Sequence, residues 1–136
     1  MNPAAFAAWL LTALAGFVLF ATWAGGGGIT RSNGGAFSPV VVFAHLGLAA
    51  IGLFAWIVHL VSGSDGAAWV SVGALVPLVV LGLVMVAVWL DGRSSSDNVD
   101  PATRPPEQWF PSSIVVLHGV GAVLTVVLVV VAAVRA

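Results

Sequence analysis

The sequence predicts an all-α integral membrane protein, a four-helix bundle built from two helical hairpins that repeat in the same orientation. Of its 136 residues, 60% are hydrophobic and 7% are charged, whereas an ordinary soluble domain carries about 25% charged residues. Four apolar stretches reach the roughly 20 residues that a membrane-spanning helix needs. Residues of the first half also recur in the second half at constant spacing, which indicates an internal repeat.

The four predicted helices span residues 3–24, 39–61, 67–90 and 111–134, and none of them contains Asp, Glu, Lys or Arg. In lipid, every backbone N–H and C=O group needs a partner inside the protein, and the alternating pattern of barrel strands is absent. We therefore expect these segments to be helices. Residues 1–136 form one predicted transmembrane domain, with the first repeat at 1–66 and the second at 67–136.

The connectors between the helices carry nearly all of the charge. Arg31, Arg93 and Arg104 lie in the first and third connectors, whereas Arg135 lies on the opposite side, beside the C-terminus. Because arginine favours the cytoplasmic side, this bias predicts a multi-pass protein of the cell (inner or plasma) membrane with both termini outside. We expect Glu107, just before the fourth helix, to form an exposed surface pair with Arg104.

The composition excludes several classes of protein. A net charge of −1 with no lysine excludes a nucleic-acid footprint, so the expected surroundings are the lipid bilayer and other membrane subunits. The absence of cysteine excludes disulfides, thiolate zinc sites and iron–sulfur clusters. All five acidic residues lie in connectors or at helix ends, which ranks a small transporter last among the candidate functions.

The repeat relates the first helix to the third and the second helix to the fourth. Matches among Val, Ala and Gly carry little information in this composition, but histidine occurs only three times in the chain. Two hairpins of the same sense imply a pseudo-two-fold axis along the membrane normal, which places matched residues at the same depth. The informative matches are Trp23 with Trp89, Phe37 with Phe110, and His45 with His118.

Two histidines at one depth, on the second and fourth helices, favour a haem site. Neutral imidazoles that face each other across a bundle suit the two axial positions of a haem iron. We therefore predict His45 and His118 as axial ligands of haem b. A porphyrin is flat and wide, so its neighbours must be small. The small residues assigned to this site are Gly16, Gly52, Gly82 and Gly121.

The same residues also have a purely structural interpretation. Small residues at helical spacing commonly allow membrane helices to pack closely. A membrane histidine can simply hydrogen bond to a neighbouring carbonyl or hydroxyl group, and Thr125 is one candidate partner. This alternative makes the chain a cofactor-free accessory subunit of a larger respiratory membrane complex.

A third histidine, His59, lies fourteen residues after His45, on the same face of the second helix. Two histidines spaced in this way resemble the ligand helices of the cytochrome b family, whose four-helix bundle holds two stacked haems. The resemblance implies one haem held by His45 and His118. It also implies that His59 either ligates a second haem with a non-equivalent partner or belongs to a quinone pocket, because the position matching it in the fourth helix is Ala132.

The other interpretation of His59 is that of a polar-tipped ring at the membrane interface, beside Trp56 and Trp69. We expect the six tryptophans, which lie mostly near helix ends, to form an aromatic belt at the two interfaces. The alternative for Trp23 and Trp89, which the repeat relates to each other, is that both border the predicted haem site.

The chain as a whole also resembles small four-helix membrane proteins of actinobacteria. In these, a Phe-Pro turn leads into a helix that bears His-Gly, as at Phe110-Pro111 and His118-Gly119 here. That resemblance implies no particular activity. The predicted function is one-electron transfer by a membrane b-type cytochrome, with a quinone, another membrane subunit or a second copy of the chain as partner. A chain this short contains no evident catalytic domain for a second substrate.

Overall fold

The structure is a computed structural model that describes residues 3–30, 35–94, 100 and 103–136. Within these residues the secondary structure is entirely helical, which confirms the all-α prediction with four helices. Each of the four α-helices is long and apolar enough to cross a membrane. They are α1 (Pro3–Gly25), α2 (Pro39–Ser62), α3 (Asp65–Ser94) and α4 (Ser112–Val134), and a short 3-10 helix (Pro106–Trp109) precedes α4.

Local chemistry fixes the ends of α2. Pro39 occupies the first helical position, where its missing N–H group leaves no hydrogen bond unmade. Gly63 follows the helix with a left-handed φ of 69°, which favours glycine, and its N–H donates to the His59 carbonyl oxygen at 2.9 Å. The chain then turns directly into α3.

Helix α3 extends beyond both predicted ends. It begins at Asp65 instead of Ala67, because the Ser64 hydroxyl oxygen accepts a hydrogen bond from the Ala67 N–H at 3.3 Å and caps the first turn. It also includes residues 91–94, which lie beyond the predicted helix 67–90. Arg93 lies in this last turn, where a cation interacts favourably with the helix dipole.

The helices pack mainly in two pairs, α1 against α4 and α2 against α3, whereas α1 and α2 touch little. We call the end at which α1 and α3 finish the loop end, and the end at which α2 turns into α3 the turn end. Each end holds a buried cluster. Trp9, Trp56, Leu75 and Val129 form the centre of the turn-end cluster, and Trp23, Phe37, Trp89 and Phe110 form the loop-end cluster.

These clusters correct the prediction for the tryptophans. Trp69 and Trp109 are exposed, as an aromatic belt requires, but the other four tryptophans are buried inside the bundle. The sequence shows how far each tryptophan lies from the end of its helix. Whether its side chain faces the bundle interior or the outside depends on how the helices pack. The four buried tryptophans are Trp9, Trp23, Trp56 and Trp89.

Replacement of Trp56 by alanine tests the turn-end cluster. Trp56 is 0% exposed, whereas Trp69 is 52% exposed and serves as the matched control. Loss of a buried tryptophan side chain leaves a cavity and costs about 3–5 kcal/mol. We expect the thermal unfolding midpoint, measured by circular dichroism in detergent, to fall for Trp56→Ala and to stay near wild type for Trp69→Ala. Equal midpoints for the two variants would contradict the packing.

Candidate functional site

His45 and His118 face each other inside the bundle. The centroids of the two imidazole rings are 6.3 Å apart, and the ring planes are inclined by 57°. Each histidine lies about two turns into its helix, His45 in α2 and His118 in α4. The structure therefore brings the predicted pair together, from two helices that are diagonal to each other in the bundle.

Each imidazole is oriented by one hydrogen bond to a neighbouring helix. Nδ1 of His45 donates to the Leu78 carbonyl oxygen of α3 at 3.1 Å, and Nδ1 of His118 donates to the Thr12 carbonyl oxygen of α1 at 2.9 Å. A carbonyl oxygen can only accept, so the proton of each neutral ring is on Nδ1. Within the described part of the chain, no group hydrogen bonds to either Nε2. Both Nε2 atoms are therefore free to act as ligands.

Two glycines allow the imidazoles to occupy these positions. A Cβ atom at Gly16 would lie 2.9 Å from Cε1 of His118, and one at Gly82 would lie 3.3 Å from Cε1 of His45. Both distances are shorter than ordinary van der Waals contact, so each ring would have to move. Gly16 and Gly82 thus make room for the histidine rings themselves.

A cavity of about 270 Å³ adjoins both imidazole rings. Small-molecule sites in proteins usually measure about 300–1,000 Å³, so this cavity lies just below that range. Its walls consist of aliphatic and aromatic side chains, glycines, the Met85 thioether and the two imidazoles. Exposed residues of three helices, Phe17 of α1, Ala50 of α2 and Val86 of α3, also line the cavity, so it is not fully enclosed by the bundle.

The other two predicted glycines lie at helix contacts instead. A Cβ atom at Gly52 would meet the Trp9 ring at 2.9 Å, and one at Gly121 would meet the Thr12 hydroxyl at 2.5 Å. Neither glycine lines the cavity, so their assignment to a haem site stays a prediction. Thr125, a candidate partner for a histidine, hydrogen bonds with the Thr12 hydroxyl at 3.3 Å.

His59 lies at the turn end of the bundle and outside the cavity. Its Nδ1 donates to the Ser64 carbonyl oxygen at 3.0 Å, and its ring packs on Trp56 with centroids 4.9 Å apart. The side chain is buried. These contacts connect the end of α2 to the turn that follows. The role at a second haem or a quinone pocket that the cytochrome b resemblance implies for His59 stays a prediction.

Glu107 differs from its predicted position on the surface. Its side chain is 1% exposed, and its Oε1 accepts a hydrogen bond from the Ala36 N–H at 2.6 Å. The predicted surface pair with Arg104 is wrong, because the Arg104 guanidinium lies over the Trp109 ring, 5.9 Å from its centroid. Arg31, which we placed on the same side, lies outside the described residues.

Two unpaired imidazole nitrogens beside an apolar cavity suit ligation of one metal ion from opposite sides. If an imidazole nitrogen binds a first-row metal ion at about 2.0 Å, two opposed rings place their centroids about 6 Å apart, close to the observed separation. The described residues contain no group of three or more His, Cys, Asp or Glu side chains that could hold a metal ion. No family model, curated protein or solved structure matches the chain.

Alanine substitutions at the glycines test the ring positions. Gly16→Ala places a Cβ against His118 and should lower the thermal unfolding midpoint, and Gly82→Ala should lower it less because the approach is wider. Gly47→Ala is the matched control, since nothing lies within 4 Å of its Cβ position, and alanine is favoured over glycine in a helix by about 1 kcal/mol. Equal tolerance of Gly16→Ala and Gly47→Ala would contradict the ring geometry.

Proposed function

We propose that the chain is a membrane b-type cytochrome, or a haem-binding electron-transfer subunit, that holds one haem b between α2 and α4. The observation that carries the proposal is the facing pair His45 and His118, with ring centroids 6.3 Å apart and both Nε2 atoms unpaired. Neutral imidazole nitrogens are suitable axial ligands of haem iron. The cavity beside the rings supplies apolar surroundings for a macrocycle.

In this function the residues of the chain orient the axial histidines, make each Nε2 a better electron donor and surround the haem with apolar side chains. When bound, haem supplies one-electron transfer between ferric and ferrous iron. The hydrogen bonds from Nδ1 to the carbonyl oxygens of Leu78 and Thr12 fix the ring orientation and make each Nε2 a better electron donor. The apolar cavity wall disfavours the additional positive charge of the oxidised state and so favours reduction.

We further infer that the four helices cross the cell membrane as two repeated hairpins with both termini outside. Matched contacts support the repeat, because the carbonyls that hold the two histidines are at positions that the repeat relates, Thr12 and Leu78. Gly16 and Gly82 are related in the same way and approach the same ring atom of the two histidines. A quinone or another membrane subunit is the proposed electron partner.

A cofactor-free accessory subunit is the second candidate. One observation favours it, namely that the two imidazole hydrogen bonds already link α2 to α3 and α1 to α4. In that function His45 and His118 serve only to hold the helices together. Haem content separates the two candidates.

Optical spectra of histidine variants test the proposal. We expect the purified wild-type protein, expressed with haem supplementation, to show a sharp b-type α band in the dithionite-reduced minus oxidised spectrum. His45→Ala and His118→Ala should each abolish the band and retain a helical circular dichroism spectrum. His59→Ala is the matched control and should keep the band, because that ring lies at the turn end.

Two outcomes would contradict the proposal. Persistence of the band in either His45→Ala or His118→Ala would show that the ligands are misassigned. A colourless but folded wild-type protein would favour the accessory subunit.

A further inference from the structure

The 3-10 helix forms a cap across the loop end of the bundle. Pro106 lies against Gly26 just after α1, where a Cβ atom would be 3.1 Å from the proline Cβ. Gln108 lies against Gly92 in the last turn of α3, and its Nε2 donates to the Trp89 carbonyl oxygen at 3.5 Å. The repeat relates the two glycines, so the cap rests on matching sites of α1 and α3. Only glycine allows this close approach.

Glu107 connects this cap to the first connector. Its Oε1 accepts the hydrogen bond from the Ala36 N–H, and Ala36 directly precedes Phe37. Its own carbonyl oxygen accepts a hydrogen bond from the Phe110 N–H at 3.3 Å. The rings of Phe37 and Phe110 pack together with centroids 5.9 Å apart and line the cavity. Glu107 therefore hydrogen bonds to Ala36, which is the neighbour of Phe37, and to Phe110 itself.

The buried position of the Glu107 carboxyl group is energetically unfavourable. Oε2 of Glu107 is buried and has no hydrogen-bond partner among the residues that the structure describes. It lies against Gly35, 3.3 Å from the Cβ position of that residue. A buried polar atom without a partner costs free energy, and an apolar side chain of similar volume is often at least as stabilising. Packing alone therefore does not explain why a glutamate occupies this position. The need of the Ala36 N–H for a strong hydrogen-bond acceptor explains it.

We propose that Glu107 is a positioning residue that clamps the first connector to the 3-10 cap, holds Phe37 against Phe110 and closes the cavity to water at the loop end. The clamp rests on the contacts of this chain alone. Its redox consequence rests on the proposed function, since exclusion of water from the cavity favours the reduced state of a bound haem. An open cap should lower the midpoint potential.

Hydrogen exchange of the Ala36 amide tests the clamp without reference to haem. We expect exchange of peptides covering residues 35–38 in the full-length protein, measured by mass spectrometry, to be about tenfold faster in Glu107→Ala than in wild type. Glu107→Gln keeps an oxygen acceptor and should exchange at the wild-type rate. Asp65→Ala removes an exposed carboxylate at the turn end and is the control, with no change at residues 35–38.

Wild-type exchange in Glu107→Ala would overturn the clamp. Equally fast exchange in Glu107→Gln and Glu107→Ala would also overturn it, because an acceptor at this position would then be insufficient.

The midpoint potential of the haem-loaded protein tests the closure. Because both substitutions remove the same carboxylate, the two variants are compared with each other, and Glu107→Ala should have a lower potential than Glu107→Gln. Equal potentials in the two variants, with faster exchange in Glu107→Ala, would overturn the role in water exclusion. If the wild-type protein binds no haem, the proposed function fails, whereas the exchange rates still decide whether Glu107 is a clamp.

Discussion

The imidazole rings of His45 and His118 lie inside an apolar bundle, and each needs a hydrogen-bond partner. The arrangement of the helices depends on which groups supply these partners. An imidazole N–H buried without an acceptor costs free energy. His45 and His118 solve the problem by donating to backbone carbonyl oxygens of α3 and α1. Each bond joins the two helices of one extensively packed pair, α2 with α3 and α4 with α1. They also require glycine at Gly82 and Gly16, because a Cβ atom at either position would meet the opposing ring.

The same two bonds give the site its chemistry. With Nδ1 protonated and bonded, Nε2 of each ring carries the lone pair, which is the form of imidazole that binds a metal ion, and both rings line the apolar cavity. Aromatic side chains line the cavity at the loop end, and its lining residues offer the two imidazoles and the Met85 thioether for coordination. The proposed one-electron transfer at a haem would make use of the pair, the matched glycines and the apolar wall together.

Features that repeat along the chain were predictable, and features made by contacts between distant segments were not. The helix order follows from long apolar runs, and the pairing of His45 with His118 follows from the internal repeat. The carbonyl partners carry no signal in the sequence, since every residue has a carbonyl group. Burial of Glu107 depends on the 3-10 cap meeting the first connector. Gly52 and Gly121 look the same in the sequence as the glycines beside the rings, yet they accommodate Trp9 and Thr12.

Electron paramagnetic resonance of the oxidised, detergent-purified protein tests the central claim most directly, because it reports the axial ligands of a ferric haem. Ligation by two imidazoles predicts a low-spin ferric signal that integrates to one haem per chain. A high-spin ferric signal would contradict the account, since it shows that fewer than two strong axial ligands reach the iron. The absence of any ferric haem signal from a folded, haem-supplemented protein would contradict it as well.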